Sequence, residues 1–189
     1  MLHRRTCVTY LLERRPKTLL AVAGLGSSAW DLSAAGNVAE NFCFIGAMGQ
    51  AAPFALGLAL AQPTKRIVLF TGDGEILMSL GILATIATQA PPNLVIAVLD
   101  NEVYGETGGQ ATATAGQTDL VAIARGAGIQ STASVTKDSE LADLRQIIHS
   151  GNALHFANIK IVAEKLPLAF PYSFDGVTAV NRFRDAVTS

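Results

Sequence analysis

Short runs of almost wholly apolar residues recur along the chain, separated by longer segments of mixed polarity. Five runs are candidate strands: Thr18–Ala23, Phe42–Ile45, Ile67–Thr71, Leu94–Leu99 and His155–Ala163. The clearest of them are continuously apolar rather than alternating. Since both faces of a parallel strand are covered by helices, this pattern is typical of a parallel sheet.

Between these runs, hydrophobic residues recur at helical spacing. We expect an N-terminal helix that ends near Arg15-Pro16, helices at Leu120–Ala127 and Asp138–Ile148, and a helical C-terminus at Asn181–Val187. After Gly74, one helix should present a single apolar face formed by Ile76, Leu80, Leu83, Ala84 and Ala87. The alternation predicts an α/β fold: a doubly wound, mostly parallel sheet with helices on both faces. Neither a repeat nor a linker divides the chain, so we expect one domain over residues 1–189.

The composition narrows the classes of function. Half of the residues are hydrophobic and 15% are charged, with a mean hydropathy of +0.35, so we expect a large subunit interface. The net charge of −1 provides no basic surface for nucleic acid or for an anionic membrane. Cys7 and Cys43 form no Cys-x-x-Cys pair, which favours a reducing, cytoplasmic location.

One segment also fits a membrane span by hydropathy. Residues Phe42–Ala61 contain a single polar side chain, Gln50, and their length matches a transmembrane helix. Three glycines and Pro53 interrupt the run, and it lacks an aromatic belt. We therefore expect a buried segment rather than a membrane helix.

Polar side chains follow two of the predicted strands, where each strand ends. Asp73 comes directly after one strand, and Asn101 after the next. Because the carboxyl ends of parallel strands open onto one crevice, these side chains should meet there. Gly72 and Gly74 allow a sharp turn and a close approach of ligand, and a helix beginning near Glu75 would direct free N–H groups to the same place. This combination suits Mg²⁺ holding a phosphate group.

The spacing of these residues resembles a known motif. Gly72-Asp73-Gly74, then 25 residues, then Asp100-Asn101, is similar to the cofactor motif of the thiamine diphosphate-dependent decarboxylase family, in its pyrophosphate-binding domain. The resemblance implies that thiamine diphosphate and Mg²⁺ are the cofactors. It implies Asp73, Asn101 and the backbone carbonyl of Val103 as metal ligands, with diphosphate and water completing the octahedron.

Other segments follow the order of the same family. Gly46-Ala47-Met48-Gly49 resembles the element whose bulky residue lies beneath the cofactor, a role that falls to Met48. The loop after the first strand resembles the diphosphate-contacting region, and Tyr104-Gly105 the usual aromatic-glycine pair. The resemblance thus implies these cofactor-binding residues: Gly26, Ser27, Ser28, Gly46, Ala47, Met48, Gly72, Gly74, Glu75, Tyr104 and Gly105.

Two positions depart from the family pattern. Asp100 stands where the motif has its first Asn, and it either adds negative charge near the metal or points away from it. Glu75 stands where many relatives have Ser or Gly, and we expect it to act through its backbone N–H rather than its side chain.

The segment LDNEVYGETGGQATATAG and the tail NRFRDAV resemble a narrower group, the sulfopyruvate decarboxylase β subunits and the C-terminal half of phosphonopyruvate decarboxylases. This implies decarboxylation of a 3-substituted pyruvate to an aldehyde and CO₂. The family's catalytic glutamate belongs to a separate pyrimidine-binding domain, so we expect no catalytic residue in this chain and a partner subunit that supplies it. Two alternatives stay open: a split acetolactate-synthase-like carboligase, and a non-catalytic cofactor-binding assembly subunit.

Several further residues allow two interpretations. Arg182 and Arg184 fit either an anion site for a sulfonate or phosphonate or a solvated helix face. The loop Thr107–Gln110 either lines the substrate pocket or is an ordinary flexible loop. The three histidines have no metal-ligand spacing, which favours structural or solvated roles.

Overall fold

The computed structural model describes residues 1–188, which form a six-stranded parallel sheet flanked by helices. The strands are β1 (Leu19–Ala23), β2 (Asn41–Cys43), β3 (Arg66–Gly72), β4 (Leu94–Asp100), β5 (Val103–Tyr104), β6 (Gln110–Ala111), β7 (Ser131–Val135) and β8 (His155–Lys160). The sheet order is β2-β1-β3-β4-β8-β7, and β5 and β6 form a separate antiparallel hairpin. The predicted α/β class with a parallel sheet is confirmed.

Helices cover both faces of the sheet. They are α1 (Arg4–Leu12), α2 (Ser27–Ala35), α3 (Ala51–Ala61), α4 (Asp73–Leu77), α5 (Ile82–Gln89), α6 (Leu120–Gly126), α7 (Asp138–Ser150) and α8 (Gly176–Thr188). Successive residues of a strand point to opposite faces, so Leu19 belongs to the core on the side of α1, α2 and α7, whereas Leu20 belongs to the core on the side of α3, α5 and α6. The central strand β4 is buried along its whole length, which explains its continuous apolar sequence.

The helix predicted after Gly74 needs correction. The segment after Gly74 is two helices rather than one, and Ala84, expected in the apolar face, is exposed. Between α4 and α5, successive N–H groups bond three residues back, as in Met78 to Glu75. This tighter winding rotates the following residues, so Leu83 and Ile86 become the buried pair.

The sequence analysis did not predict β7 or α2. β7 is a half-exposed edge strand with the sequence STASV, and it lacks the apolar run that marks the buried strands. α2 begins at Ser27, inside the segment interpreted as a phosphate-contacting loop, and consists largely of small residues.

The apolar run Phe42–Ala61 is divided between β2, a loop and the eleven-residue helix α3. Within residues 1–188, no helix combines the length and hydropathy needed to cross a bilayer. The part of this run that forms α3 packs its alanines against the sheet, where Ala51, Ala55 and Ala59 are buried.

A buried arginine joins the start of β3 to the end of α7. Arg66 donates from Nη1 to the carbonyl of Pro92 (2.6 Å), from Nη2 to that of Ile147 (2.8 Å) and from Nε to that of Ile148 (3.3 Å). The last carbonyls of a helix have no intrahelical partner, and a cation there also complements the helix dipole.

We expect Arg66→Met to lower the free energy of unfolding by about 2–4 kcal/mol, because it removes three hydrogen bonds, including the buried one to the Ile148 carbonyl. Urea denaturation followed by circular dichroism measures the change. Arg184→Met, at an exposed position of α8, is the control and should stay within about 0.5 kcal/mol of the wild type. Equal stability of the two variants would contradict this account of Arg66.

Candidate functional site

A cavity of about 160 Å³ lies at the carboxyl ends of β1, β3 and β4. Most of the residues predicted for the site line it: Gly26, Ser27, Ser28, Met48, Gly72, Asp73, Gly74, Glu75, Asn101, Val103, Tyr104 and Gly105. Gly46 and Ala47, also predicted, do not line it. The parallel sheet thus brings together segments that are far apart in sequence, as expected for a ligand crevice in an open α/β sheet.

An open cleft of about 630 Å³ adjoins this cavity and shares Asn101, Val103 and Gly105 with it. Gly108 and Gly109 line the cleft, and Thr107 lines the cavity. The loop Thr107–Gln110, for which two interpretations were given, therefore borders the site.

Asp73 opens α4 and is buried, with 2% of its surface exposed. The hydroxyls of Thr112 and Thr114 both contact its Oδ2 atom, at 2.5 and 3.1 Å. Burial raises the pKa of this carboxyl, and the charge of Asp100 raises it further. Within residues 1–188, Asp73 forms no ion pair with a lysine, arginine or histidine. A cation in the cavity would supply the missing compensation.

Asn101 and Val103 lie on a tight turn after β4. The Val103 N–H donates to the Asn101 side-chain oxygen at 3.1 Å, and Glu102 between them adopts the left-handed region with φ of 65°. Non-glycine residues in this region are held there by their surroundings, often at functional sites. Here the Thr112 N–H donates to the carbonyl of Glu102 at 2.9 Å and so holds the turn.

Asp100 points away from the cavity, which is the second of the two alternatives given for this position. Its side chain is fully buried and does not line the cavity. Lys160 lies 2.8 Å from Oδ2, Asn158 donates to the same oxygen, and the Thr114 hydroxyl donates to Oδ1.

Glu75 differs from the expectation that it would act through its backbone alone. Its buried carboxylate accepts from the Thr71 hydroxyl at 2.8 Å and from the Gly49 N–H at 3.2 Å, and burial raises its pKa. The same carboxylate lies against Gly24 so closely that a Cβ atom there would collide with it. Glu75 therefore joins the loop that follows β1 to the loop that carries Met48.

Several polar residues of the site are absent from the predicted set, among them Glu106, which lines the cavity and accepts from the Ser27 hydroxyl. Thr112 and Thr114 contact Asp73, and their sequence signal is the threonine repetition after Gly108-Gly109. Arg4, which lines the cavity, is buried and donates to Asp31 (2.7 Å) and to the carbonyl of Ser27 (3.2 Å). It thereby fixes the start of α2, whose first turn faces the cavity through Ser27 and Ser28.

The two C-terminal arginines lie elsewhere. Arg182 bonds Asn37 and stacks on the Tyr172 ring at 4.2 Å, and Arg184 lies beside Asp185 on an exposed face. Neither lines the cavity or the adjoining cleft.

The family model for the C-terminal TPP binding domain of thiamine pyrophosphate enzymes matches residues 8–156. The chain belongs to this family. Thiamine diphosphate is the cofactor of the family, as the resemblance implied, and Mg²⁺ is its usual partner metal.

Individual relatives agree with this assignment. The chain is 40% identical over 133 residues to phosphonopyruvate decarboxylase from Streptomyces viridochromogenes, covering 70% of this chain and 33% of that protein. It is 34% identical over 163 residues to sulfopyruvate decarboxylase subunit beta from Methanocaldococcus jannaschii, covering 86% of this chain and 81% of that subunit. The resemblance to this narrower group is thereby confirmed. The chain spans only about a third of the Streptomyces enzyme and most of the Methanocaldococcus subunit.

A solved structure shares the fold. Benzoylformate decarboxylase from Polynucleobacter necessarius superposes with a TM-score of 0.73 at 22% identity, covering 88% of this chain and 34% of that enzyme.

The residues of the cavity fit the cofactor's metal. Asp73 and Asn101 supply a carboxylate and an amide oxygen, and Val103 lines the same cavity. Within residues 1–188, no group of three or more histidine, cysteine, aspartate or glutamate side chains could hold a metal by itself. The oxygen donors of Asp73 and Asn101 therefore suit a Mg²⁺ ion, which typically binds through one or two protein ligands and completes its coordination with phosphate and water.

We expect Gly24→Ala to lower the free energy of unfolding by roughly 1–3 kcal/mol, because the new methyl group meets the Glu75 carboxylate. Gly46→Ala is the matched control, since no atom lies within 4 Å of a Cβ there. In a Glu75→Ala background most of the cost of Gly24→Ala should disappear, which a double-mutant cycle by urea denaturation would measure. Fully additive effects would show that the two residues do not interact.

Proposed function

We propose that this chain is the Mg²⁺- and thiamine diphosphate-binding subunit of a 2-oxoacid decarboxylase that acts on a 3-substituted pyruvate, sulfopyruvate or phosphonopyruvate. The observation that carries the proposal is the convergence of Asp73, Asn101 and Val103 on one cavity. The similarity to a sulfopyruvate decarboxylase β subunit over most of both chains supports the choice of reaction.

The cavity residues have distinct parts in this proposal. Asp73, Asn101 and the Val103 carbonyl hold Mg²⁺, and the α2 N-terminus at Ser27 and Ser28 directs N–H groups to the diphosphate. Met48, which lines the cavity, would support the bound cofactor. Thiamine diphosphate, when bound, supplies an electron sink for the loss of CO₂. The chain contributes binding and orientation.

The proton chemistry is assigned to a partner. Three carboxylates line the cavity, and all are already engaged: Asp73 by two threonines, Glu75 by Thr71 and Gly49, and Glu106 by Ser27. We therefore propose that the glutamate serving the aminopyrimidine comes from a pyrimidine-domain subunit. The designation of relatives as subunit beta supports a multi-subunit enzyme.

The surface also supports a partner. Four large apolar side chains, at alternate positions of the segment before α8, are each more than half exposed: Leu168, Phe170, Tyr172 and Phe174. This is an unusually apolar exposed segment, and such patches mark interaction surfaces.

Product analysis tests the reaction. The complex of the chain with its partner is supplied with sulfopyruvate, phosphonopyruvate and pyruvate in turn, with Mg²⁺ and thiamine diphosphate present. We expect CO₂ and an aldehyde from one of the two 3-substituted pyruvates. Acetolactate from pyruvate would favour the carboligase alternative, and absence of turnover despite cofactor binding would favour the assembly subunit.

We expect Asp73→Ala to weaken Mg²⁺-dependent binding of thiamine diphosphate by roughly 100-fold or more, because it removes the metal's only predicted carboxylate ligand. The fold should persist, since Thr112 and Thr114 can still bond each other. Calorimetric titration measures the affinity, and Asp185→Ala, at an exposed site of α8, is the control. Wild-type affinity in Asp73→Ala would refute the metal assignment.

A further inference from the structure

Asp100, the last residue of β4, has four hydrogen-bonding groups around its carboxylate. The Thr114 hydroxyl (2.7 Å) and the Glu102 N–H (3.2 Å) donate to Oδ1. The Asn158 amide (2.8 Å) and the Lys160 ammonium (2.8 Å) lie on Oδ2. Both oxygens of the side chain therefore face donors, and the side chain is completely buried.

This arrangement suits a carboxylate, which accepts from all four groups at once. An asparagine has one acceptor oxygen and one NH₂ group. Whichever way its amide were turned, the NH₂ group would face a donor that cannot accept, the Glu102 N–H on one side or the Lys160 ammonium on the other. The charge of the carboxylate is offset by Lys160, which also bonds Glu102 at 2.7 Å. The environment thus accounts for Asp where the cofactor motif has its first Asn.

Two of the groups that donate to Asp100 connect it to the predicted metal ligands, one to Asp73 and the other to the Asn101–Val103 turn. Thr114 also lies 3.1 Å from Asp73 and 2.9 Å from the Thr112 hydroxyl. Its single proton serves either carboxylate, and the shorter contact is to Asp100. The Glu102 N–H belongs to the turn that carries Asn101 and Val103. The buried Asp100 side chain therefore contacts both Thr114, which bonds Asp73, and the turn that carries Asn101 and Val103.

We infer that Asp100 is a positioning residue for the metal site: it stays outside the coordination sphere and fixes the distance between Asp73 and the Asn101–Val103 turn. The inference rests on the proposed function, because it takes that site to bind Mg²⁺ with thiamine diphosphate. Groups that support metal ligands in this way typically change metal affinity 10- to 100-fold when they are altered.

Metal discrimination separates positioning from a general structural role. Mg²⁺ demands near-ideal octahedral geometry at about 2.0–2.1 Å, whereas Ca²⁺ accepts flexible geometry at about 2.3–2.6 Å. Loosening the spacing of the ligands should therefore weaken Mg²⁺ binding more than Ca²⁺ binding. A uniform loss of stability would weaken both metals alike.

The experiment titrates MgCl₂ and, separately, CaCl₂ into the full chain purified with its partner subunit, at saturating thiamine diphosphate. For Asp100→Asn we expect about 10- to 100-fold weaker Mg²⁺ binding and a smaller loss for Ca²⁺. Asp119→Asn is the matched control: it also removes one carboxylate, but Asp119 caps α6 through Val121 and Ala122, a role asparagine fills equally well. It should leave both affinities unchanged.

Wild-type affinity and discrimination in Asp100→Asn would overturn the inference, as would equal losses for both metals together with a lower thermal midpoint.

If Asp100→Asn fails to fold, Thr114→Val and Thr114→Ser replace it. The valine variant should lose discrimination and the serine variant, which keeps the hydroxyl, should retain it; identical behaviour of the two would refute the inference. A wild-type complex that binds neither metal would instead overturn the proposed function, and the inference with it.

Discussion

The site depends on one electrostatic constraint, a buried carboxylate that has no cationic side chain beside it within residues 1–188. Asp73 stands at the carboxyl end of the buried strand β3, and burial raises its pKa. A buried negative charge is costly unless it is paired or bound to a metal. The two threonine hydroxyls satisfy one oxygen of Asp73, but they carry no charge. A divalent cation at this position would complete the compensation and attract the phosphate groups of a cofactor.

The other two buried carboxylates near Asp73, those of Asp100 and Glu75, are bonded to donors of the protein itself. Asp100 is turned away and paired with Lys160. Glu75 is enclosed by the Thr71 hydroxyl and the Gly49 N–H, where it connects two loops of the cavity. Asp73, Glu75 and Asp100 thus differ in role because the fold brings different donors to each carboxylate.

Much of this arrangement could be predicted from the sequence. The continuous apolar runs of β3 and β4 fix where those strands end, so the meeting of Asp73 and Asn101 follows from the topology of a parallel sheet. The orientations of Asp100 and Glu75 could not be predicted, because their donors come from distant segments such as Lys160 and Gly49. The contact of Thr112 with Asp73 could not be predicted either, because the two residues are 39 positions apart and no local sequence pattern links them. The edge strand β7 was missed since an edge strand need not be apolar.

The measurement that tests the central claim most directly is calorimetric titration of thiamine diphosphate into the chain and its partner, with Mg²⁺ present and after its removal by chelation. The account predicts saturable binding with Mg²⁺ and little or none without it, because the diphosphate is held through the metal at Asp73 and Asn101. Equal binding under both conditions, or no binding by a folded complex, would contradict it.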